Sequence, residues 1–238
     1  MRYELRIRLK ESFIEIEYRK AVMSYFKWAL SDYECGKYYA DFYGSSKSKD
    51  LTFGVFLKKP KFKKSIIELE SKEISIIVSS SSKKLGLALF NSILSKKGME
   101  FKLASDNSMT LHSINLKKEK NISEGSVVFK ILSPLCLREH VRDGNRDQYH
   151  SIASEDFLIK LKDCIKFQLE PKFEIETSEI QIVPLNCKKT VIQHNGLFIE
   201  STLGTIAISA NKDILNELYM NGFGSRKSSG FGLLEVVN

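Results

Sequence analysis

One stretch near the C-terminus combines side chains and backbone suited to holding an anion: Gly222-Phe223-Gly224-Ser225-Arg226-Lys227-Ser228-Ser229-Gly230-Phe231-Gly232. It carries four of the chain's 13 glycines, two cations and no acid. Glycine reaches positive φ and lets backbone N–H groups approach a phosphate closely. Arg226 and Lys227 add charge-assisted donors, and Ser225, Ser228 and Ser229 add hydroxyls. Gly222, Gly224, Ser225, Arg226, Lys227, Ser228, Ser229, Gly230 and Gly232 are therefore the expected anion-binding set. The order is glycine loop and then strand, with spacing unlike a Walker A loop or a dinucleotide fingerprint. A basic surface turn with no ligand is the plainer alternative.

The chain's charge supports the same reading. Its 37 Lys and Arg against 29 Asp and Glu give a net charge of +8 over 238 residues, a balance that speeds encounter with a polyanion. The sequence is 42% hydrophobic and 28% charged, as expected of a globular protein with real cores. Cys35, Cys136, Cys164 and Cys187 are scattered with no CxxC pair, so neither a zinc site nor a disulfide framework is implied. The four histidines, His112, His140, His150 and His194, show no metal-ligand spacing and read as surface or packed residues. Charge begins at the second residue and no apolar run reaches membrane-spanning length, so a cytoplasmic protein without a membrane partner is expected.

The elements that would position the loop follow from periodicity. Tyr3, Leu5, Ile7 and Leu9 alternate with Glu4, Arg6, Arg8 and Lys10, predicting a half-buried strand. Helical spacing follows from Tyr18 to about Leu30, then a strand over Leu51–Leu57 and strand-like runs in IIELE and EISIIVSS. A helix over Lys83–Lys96 and a strand region over Glu100–Leu116 complete a β-α-β-β-α-β order. The polar segment Lys117–Gly125 reads as a linker. The order then repeats: a strand at Ser126–Leu132, and a helix over Glu155–Leu169 started by Ser154. Strands are expected around Ile180–Leu185, Val191–Glu200 and Thr205–Ala210, a short helix over Lys212–Tyr219, and a last strand from Phe231 to Val237. The fold class predicted is α+β, with two tandem ferredoxin-like, RRM-like βαββαβ domains over residues 1–118 and 119–238. In such a sheet both helices cover one face and leave the other open.

GFGSRKSSGFG resembles the C-terminal glycine-rich loop of the RAMP superfamily, in particular of the sixth Cas family, the CRISPR repeat endoribonucleases. MRYELRIRL resembles that family's opening strand, and LTFGVFL its second strand. FKILSPLCLRE, followed by a helix near Ser154-Glu155-Asp156-Phe157, resembles its "SP" motif and the helix after it. The resemblance covers essentially the whole chain in the family's order. It implies metal-independent cleavage of CRISPR repeat RNA by the substrate's own 2′-hydroxyl, leaving a 5′-hydroxyl and a 2′,3′-cyclic phosphate. It implies no cofactor, and it leaves room for CRISPR effector subunits or a second copy of the chain as further partners.

Many members place a histidine between the first helix and second strand, with a lysine a few residues on. Residues 33–50 contain no histidine. Counting back from LTFGVFL, the histidine slot falls at Tyr43 and the lysine slot at Lys49, with Lys47 nearby. These three are the catalytic candidates that the resemblance implies. A phenol or ammonium titrates near ~10 and an imidazole near ~6.5, so Tyr43 is the weaker proton-transfer group. The alternative function is a catalytically inactive RNA-binding subunit of a CRISPR effector.

Overall fold

A computed structural model describes residues 1–44, 49–141 and 143–237. Its N-terminal half runs β1 (Arg2–Leu9), β2 (Phe13–Glu15), α1 (Tyr18–Asp32), α2 (Tyr39–Tyr43), β3 (Thr52–Leu57), β4 (Lys61–Phe62), β5 (Ile66–Glu68), β6 (Glu73–Ser79), α3 (Lys83–Leu94), β7 (Glu100–Lys102) and β8 (Ser108–Leu116). The sheet order is β3-β6-β1-β8-β7, while β2, β5 and β4 form a small separate sheet. The first four positions are the ferredoxin-like order, with both crossover helices on one face. The alternation in β1 decides which face. Tyr3, Leu5, Ile7 and Leu9 are buried under α1 and α3 with Val22, Tyr25, Phe26 and Leu89, whereas Arg6 and Arg8 stay exposed on the other side.

The C-terminal half repeats the order with β9 (Ser126–Leu135), β10 (Leu137–Val141), β11 (Arg146–His150), α4 (Phe157–Leu169), β12 (Gln181–His194), β13 (Leu197–Ser209), α5 (Lys212–Asn221) and β14 (Leu234–Val236). Its main sheet runs β12-β13-β9-β14, again ferredoxin-like, and β10 and β11 pair as a separate hairpin. A second core gathers Phe129, Ile131, Leu161, Ile165, Ile206, Leu215 and Phe223. Each such apolar side chain contributes about 1.5–3 kcal/mol when fully buried. The tandem α+β architecture is as expected from the element order.

Three details differ from the sequence reading. Three separate strands were expected between Ile180 and Ala210. They are instead two long ones, turning at Asn195 (φ 51°) and Gly196 (φ 74°). Positive φ at both central residues is what a tight hairpin needs, and Asn-Gly supplies it. Helix α4 starts two residues later than expected. Asp156 is its N-cap, and the Ser154 hydroxyl accepts instead from the Ser151 N–H at 3.1 Å. The third difference is the hairpin β10–β11, which periodicity did not indicate.

The two halves are joined by buried polar contacts. Arg2 is fully buried. Its guanidinium donates to the Tyr219 carbonyl (3.1 Å), the Leu234 carbonyl (2.9 Å) and the Glu235 carboxylate (3.1 Å), and lies 4.4 Å over the Tyr219 ring. The Ser79 hydroxyl donates to the Met220 carbonyl at 2.6 Å, and Thr52 to that of Phe231 at 2.9 Å. Gly54 lets the open faces of the two sheets meet, because a Cβ there would stand 3.0 Å from Leu233. No helix among the described residues is long and apolar enough to cross a membrane.

Candidate nucleic-acid interface

The glycine-rich loop leaves α5 and is threaded between the halves before entering β14. Its N–H groups are mostly taken by protein carbonyls. Phe223 donates to Gly232 (3.2 Å), Ser225 to Cys136 (2.7 Å), Gly230 to Lys227 (3.0 Å) and Gly232 to Pro134 (3.0 Å). Across the junction, Arg19 Nε donates to the Gly230 carbonyl at 3.2 Å. Gly230 sits at φ 87°, where a Cβ would come within 2.7 Å of the Phe53 ring. Gly232, at φ 71°, lies so close to the Phe223 carbonyl oxygen that any side chain would collide with it. Glycine is required at these two positions for close approach.

Placement therefore divides the expected anion-binding set. Gly222, Gly224, Gly230 and Gly232 are buried, and Ser225, Ser228 and Ser229 are half-buried. Carbonyls of the chain already accept from several of the loop's backbone donors, so its side chains carry more of any contact with an anion.

The two cations behave differently. Lys227 is buried, and its ammonium has no hydrogen-bond partner among the described residues. Burial pushes its pKa down to about 8, against the opposing pull of Asp50 and Glu217. An unpaired buried ammonium is expensive. Arg226 is in the left-handed conformation at φ 58°, uncommon for a side chain with a Cβ. That backbone aims its guanidinium at the β10–β11 hairpin, where Nη2 donates to the Tyr149 hydroxyl (2.7 Å) and to Asp147 (3.3 Å).

On the other flank lies the connection from α1 to β3. Tyr43 ends α2, with its half-buried ring packed on the N-terminal core, 5.2 Å from the Tyr39 ring and 4.8 Å beneath the Lys27 ammonium. Burial, with Tyr39 adding to it, pushes the Tyr43 phenol well above its ordinary value. That makes it a still poorer proton acceptor at neutral pH than a free phenol. Lys47 lies outside the described residues. Lys49 is half-buried, and burial lowers its pKa. Its neighbour Asp50 ties the segment to the glycine loop's root, accepting from Asn221 (2.9 Å) and Lys172 (2.7 Å). Lys49's segment and the loop are thus joined, while the Tyr43 ring is held against α1.

Periodicity did not indicate the hairpin β10–β11, although Arg138 and Arg142 with Arg146 read in the sequence as a basic cluster that could track a phosphate backbone. Arg142 lies outside the described residues. In its register Arg138 faces Tyr149 and His140 faces Asp147, which puts all four on one side. Asp147 accepts from His140 Nδ1 (3.1 Å), Arg138 (3.3 Å), Arg226 (3.3 Å) and the Tyr149 hydroxyl (3.4 Å). The bond from His140, with the charges of Arg138 and Arg226, holds its carboxyl below the usual range. The opposite side is structural. Buried His150 contacts Asp156 (3.0 Å) and Glu139 (3.1 Å), and Lys160 donates to Glu139 (2.7 Å), docking the hairpin on α4. The Asp143-Gly144-Asn145 turn between alternating residues was the available signal.

The lysine-rich turn Lys58–Lys64 is a weaker candidate. Lys58 and Lys59 pair with Glu70 at 3.5 and 2.6 Å, and Lys63 with Glu68 at 3.7 Å, all on exposed surface. Beside them, a groove of about 330 Å³ on the open face of the first sheet is lined by Arg6, Phe56, Lys58 and Glu73 among others. An aromatic ring next to cations is the usual platform for an unstacked base.

The chain is similar to known proteins in both sequence and fold. Residues 117–236 match the family model described as CRISPR associated protein Cas6, C-terminal. A CRISPR-associated endoribonuclease-like protein Cas6 of Pyrococcus furiosus is 26% identical over 178 residues, covering 72% of this chain and 71% of that protein. Among solved structures, a Cas6-related protein from Pyrococcus furiosus superposes with a TM-score of 0.86 at 21% identity, over 100% of this chain and 98% of the other. A RAMP protein described as binding different RNA substrates superposes with a TM-score of 0.85 at 22% identity, over 100% of both chains.

Proposed function

The chain belongs to the Cas6 family of CRISPR-associated proteins, and from that premise we propose that it binds CRISPR repeat RNA and cuts it without a metal ion. The 2′-hydroxyl upstream of the cut attacks its own phosphate, leaving a 2′,3′-cyclic phosphate and a 5′-hydroxyl. The observation that carries the binding half is the junction around the glycine loop. Arg226 is held at its surface in a left-handed turn, with Arg138 beside it and Lys49 on the opposite flank. Arg138 and Arg226 share one carboxylate, Asp147, so an RNA phosphate can engage them without stripping a satisfied ion pair from each. The solved RAMP structure described as binding different RNA substrates supports the same use of the fold.

In this reading Arg226, Ser225, Ser228 and Ser229 meet the RNA backbone, Lys49 takes a neighbouring phosphate, and Tyr43 shapes the connection and transfers no proton. Lys227 and the four glycines set the loop's shape from within. Incubating the purified chain with repeat RNA in EDTA tests the reaction. Site-specific cutting is expected, and a single 2′-deoxy substitution upstream of the cut should abolish it while binding persists.

A second reading has a specific observation in its favour. The group in the histidine slot is a phenol whose pKa burial has raised, which suits a protein that binds repeat RNA and leaves it whole. Tight binding with intact RNA in the same assay would select it.

A further inference from the structure

A 2′-hydroxyl attack needs a base for the hydroxyl proton and cations for the crowded phosphate. The α1–β3 connection supplies Lys49 but no histidine. The same loop has a second flank that supplies both. Asp147 can only accept hydrogen bonds while ionised, so the 3.1 Å contact fixes the proton on His140 Nδ1. In the neutral ring Nε2 then carries the lone pair. The ring is not enclosed: its side chain is 49% exposed, and Arg138 beside it is 44% exposed. Arg226 reaches the same carboxylate from the glycine loop. Backbone contacts lock the hairpin to that loop, with the Arg138 N–H donating to the Ser225 hydroxyl at 3.1 Å and a bridge between Cys136 and Ser225.

We propose that His140, oriented by Asp147 and flanked by Arg138 and Arg226, is the base that takes the 2′-hydroxyl proton. The assignment rests on the nuclease reading above and gives it a reacting group. In the step, His140 Nε2 accepts the proton as the O2′–P bond forms. The P–O5′ bond breaks, and the departing 5′-oxygen takes a proton from water or from the imidazolium. Atoms and charge balance without an oxidant, a metal or a cofactor. Arg138 and Arg226 neutralise the non-bridging oxygens. Asp147 is a positioning residue, since it acts through the ring. A neutral imidazole offers a ring nitrogen that accepts a proton, which neither a phenol nor an ammonium ion does. The other three histidines lack the arrangement. His150 is buried with both ring nitrogens engaged, His194 is buried beside Phe231, and His112 lies on exposed surface with no carboxylate partner among the described residues.

The test compares wild type, His140→Ala, Asp147→Asn and Lys49→Ala for single-turnover cutting of repeat RNA in EDTA, with affinity measured on a 2′-deoxy substrate. His140→Ala should cut roughly 10²–10⁴-fold more slowly with affinity within about threefold of wild type, since one exposed ring contributes little to a many-phosphate contact. Added imidazole should restore part of that rate, a response a merely structural histidine would not give. Asp147→Asn should fall between wild type and His140→Ala. Cutting by His140→Ala at the wild-type rate overturns the assignment and leaves the nuclease reading standing. So does a loss that imidazole does not touch, or a loss confined to Lys49→Ala. Intact RNA with wild-type protein overturns the nuclease reading itself, and the assignment with it.

Discussion

Among the buried cations in the seam between the halves, Arg2 and Lys227 are treated in opposite ways. At one end, Arg2 has both Nη atoms engaged, by two carbonyls and a carboxylate, with an aromatic ring below. At the other, Lys227 is as deeply buried, yet its ammonium finds no partner among the described residues and its pKa is driven down to about 8. Next to Lys227 stands Arg226 in an uncommon backbone conformation. The Arg2 end joins the halves; the glycine-loop end carries unmet charge and backbone strain, the places where a fold departs from self-consistency for the sake of a site.

Breaking each end should give different results. Gly230→Val should be the most damaging change, because it combines a disallowed φ with a clash against Phe53. A loss of about 3 kcal/mol or more is expected, read as a fall in denaturation midpoint. Arg2→Met should cost nearly as much, about 3 kcal/mol, by stranding two buried carbonyls and a carboxylate. Lys227→Met should do the reverse and stabilise the protein at pH 7 by about 2–3 kcal/mol. The sign follows from the shift. Because burial lowers the folded-state pKa, the unfolded chain holds more protons from about pH 8 up to the free-lysine range near 10.5. Stability from this group must therefore rise with pH across that window, and below pH 8 the full penalty applies. Thermal melts of Lys227→Met should lose that rise; a melt that falls at pH 7 would mean the ammonium is well paired. The smallest effect belongs to the exposed lysines. Lys59→Ala should move stability by less than about 0.5 kcal/mol and weaken RNA binding by no more than one phosphate contact.

What the sequence revealed, and what it hid, follows from the same chemistry. The β1 and α1 elements are legible because their buried face is written in Tyr, Leu, Ile, Val and Phe at strand or helix spacing. The hairpin β10–β11 is not, because apart from Leu137, Val141 and Tyr149 its side chains are polar and its alternation is mostly one of charge and hydrogen bonding. The long β12–β13 hairpin read as three pieces because polar Asn186–Thr190 interrupts its apolar residues, while Asn195-Gly196 marked the true turn. The glycine loop was legible as a motif. Its burial was not, since that depends on Phe53 and Arg19, each more than 170 residues away in the chain.

The central claim is that RNA phosphates are held by Arg226 of the glycine loop and Arg138 beside it. It is tested most directly by titrating repeat RNA against wild type and an Arg138→Ala/Arg226→Ala double variant over a range of salt concentrations. The variant, once shown to be folded, should bind at least about tenfold more weakly, with a salt slope shallower by roughly one to two. Affinity and slope equal to those of wild type would contradict the claim.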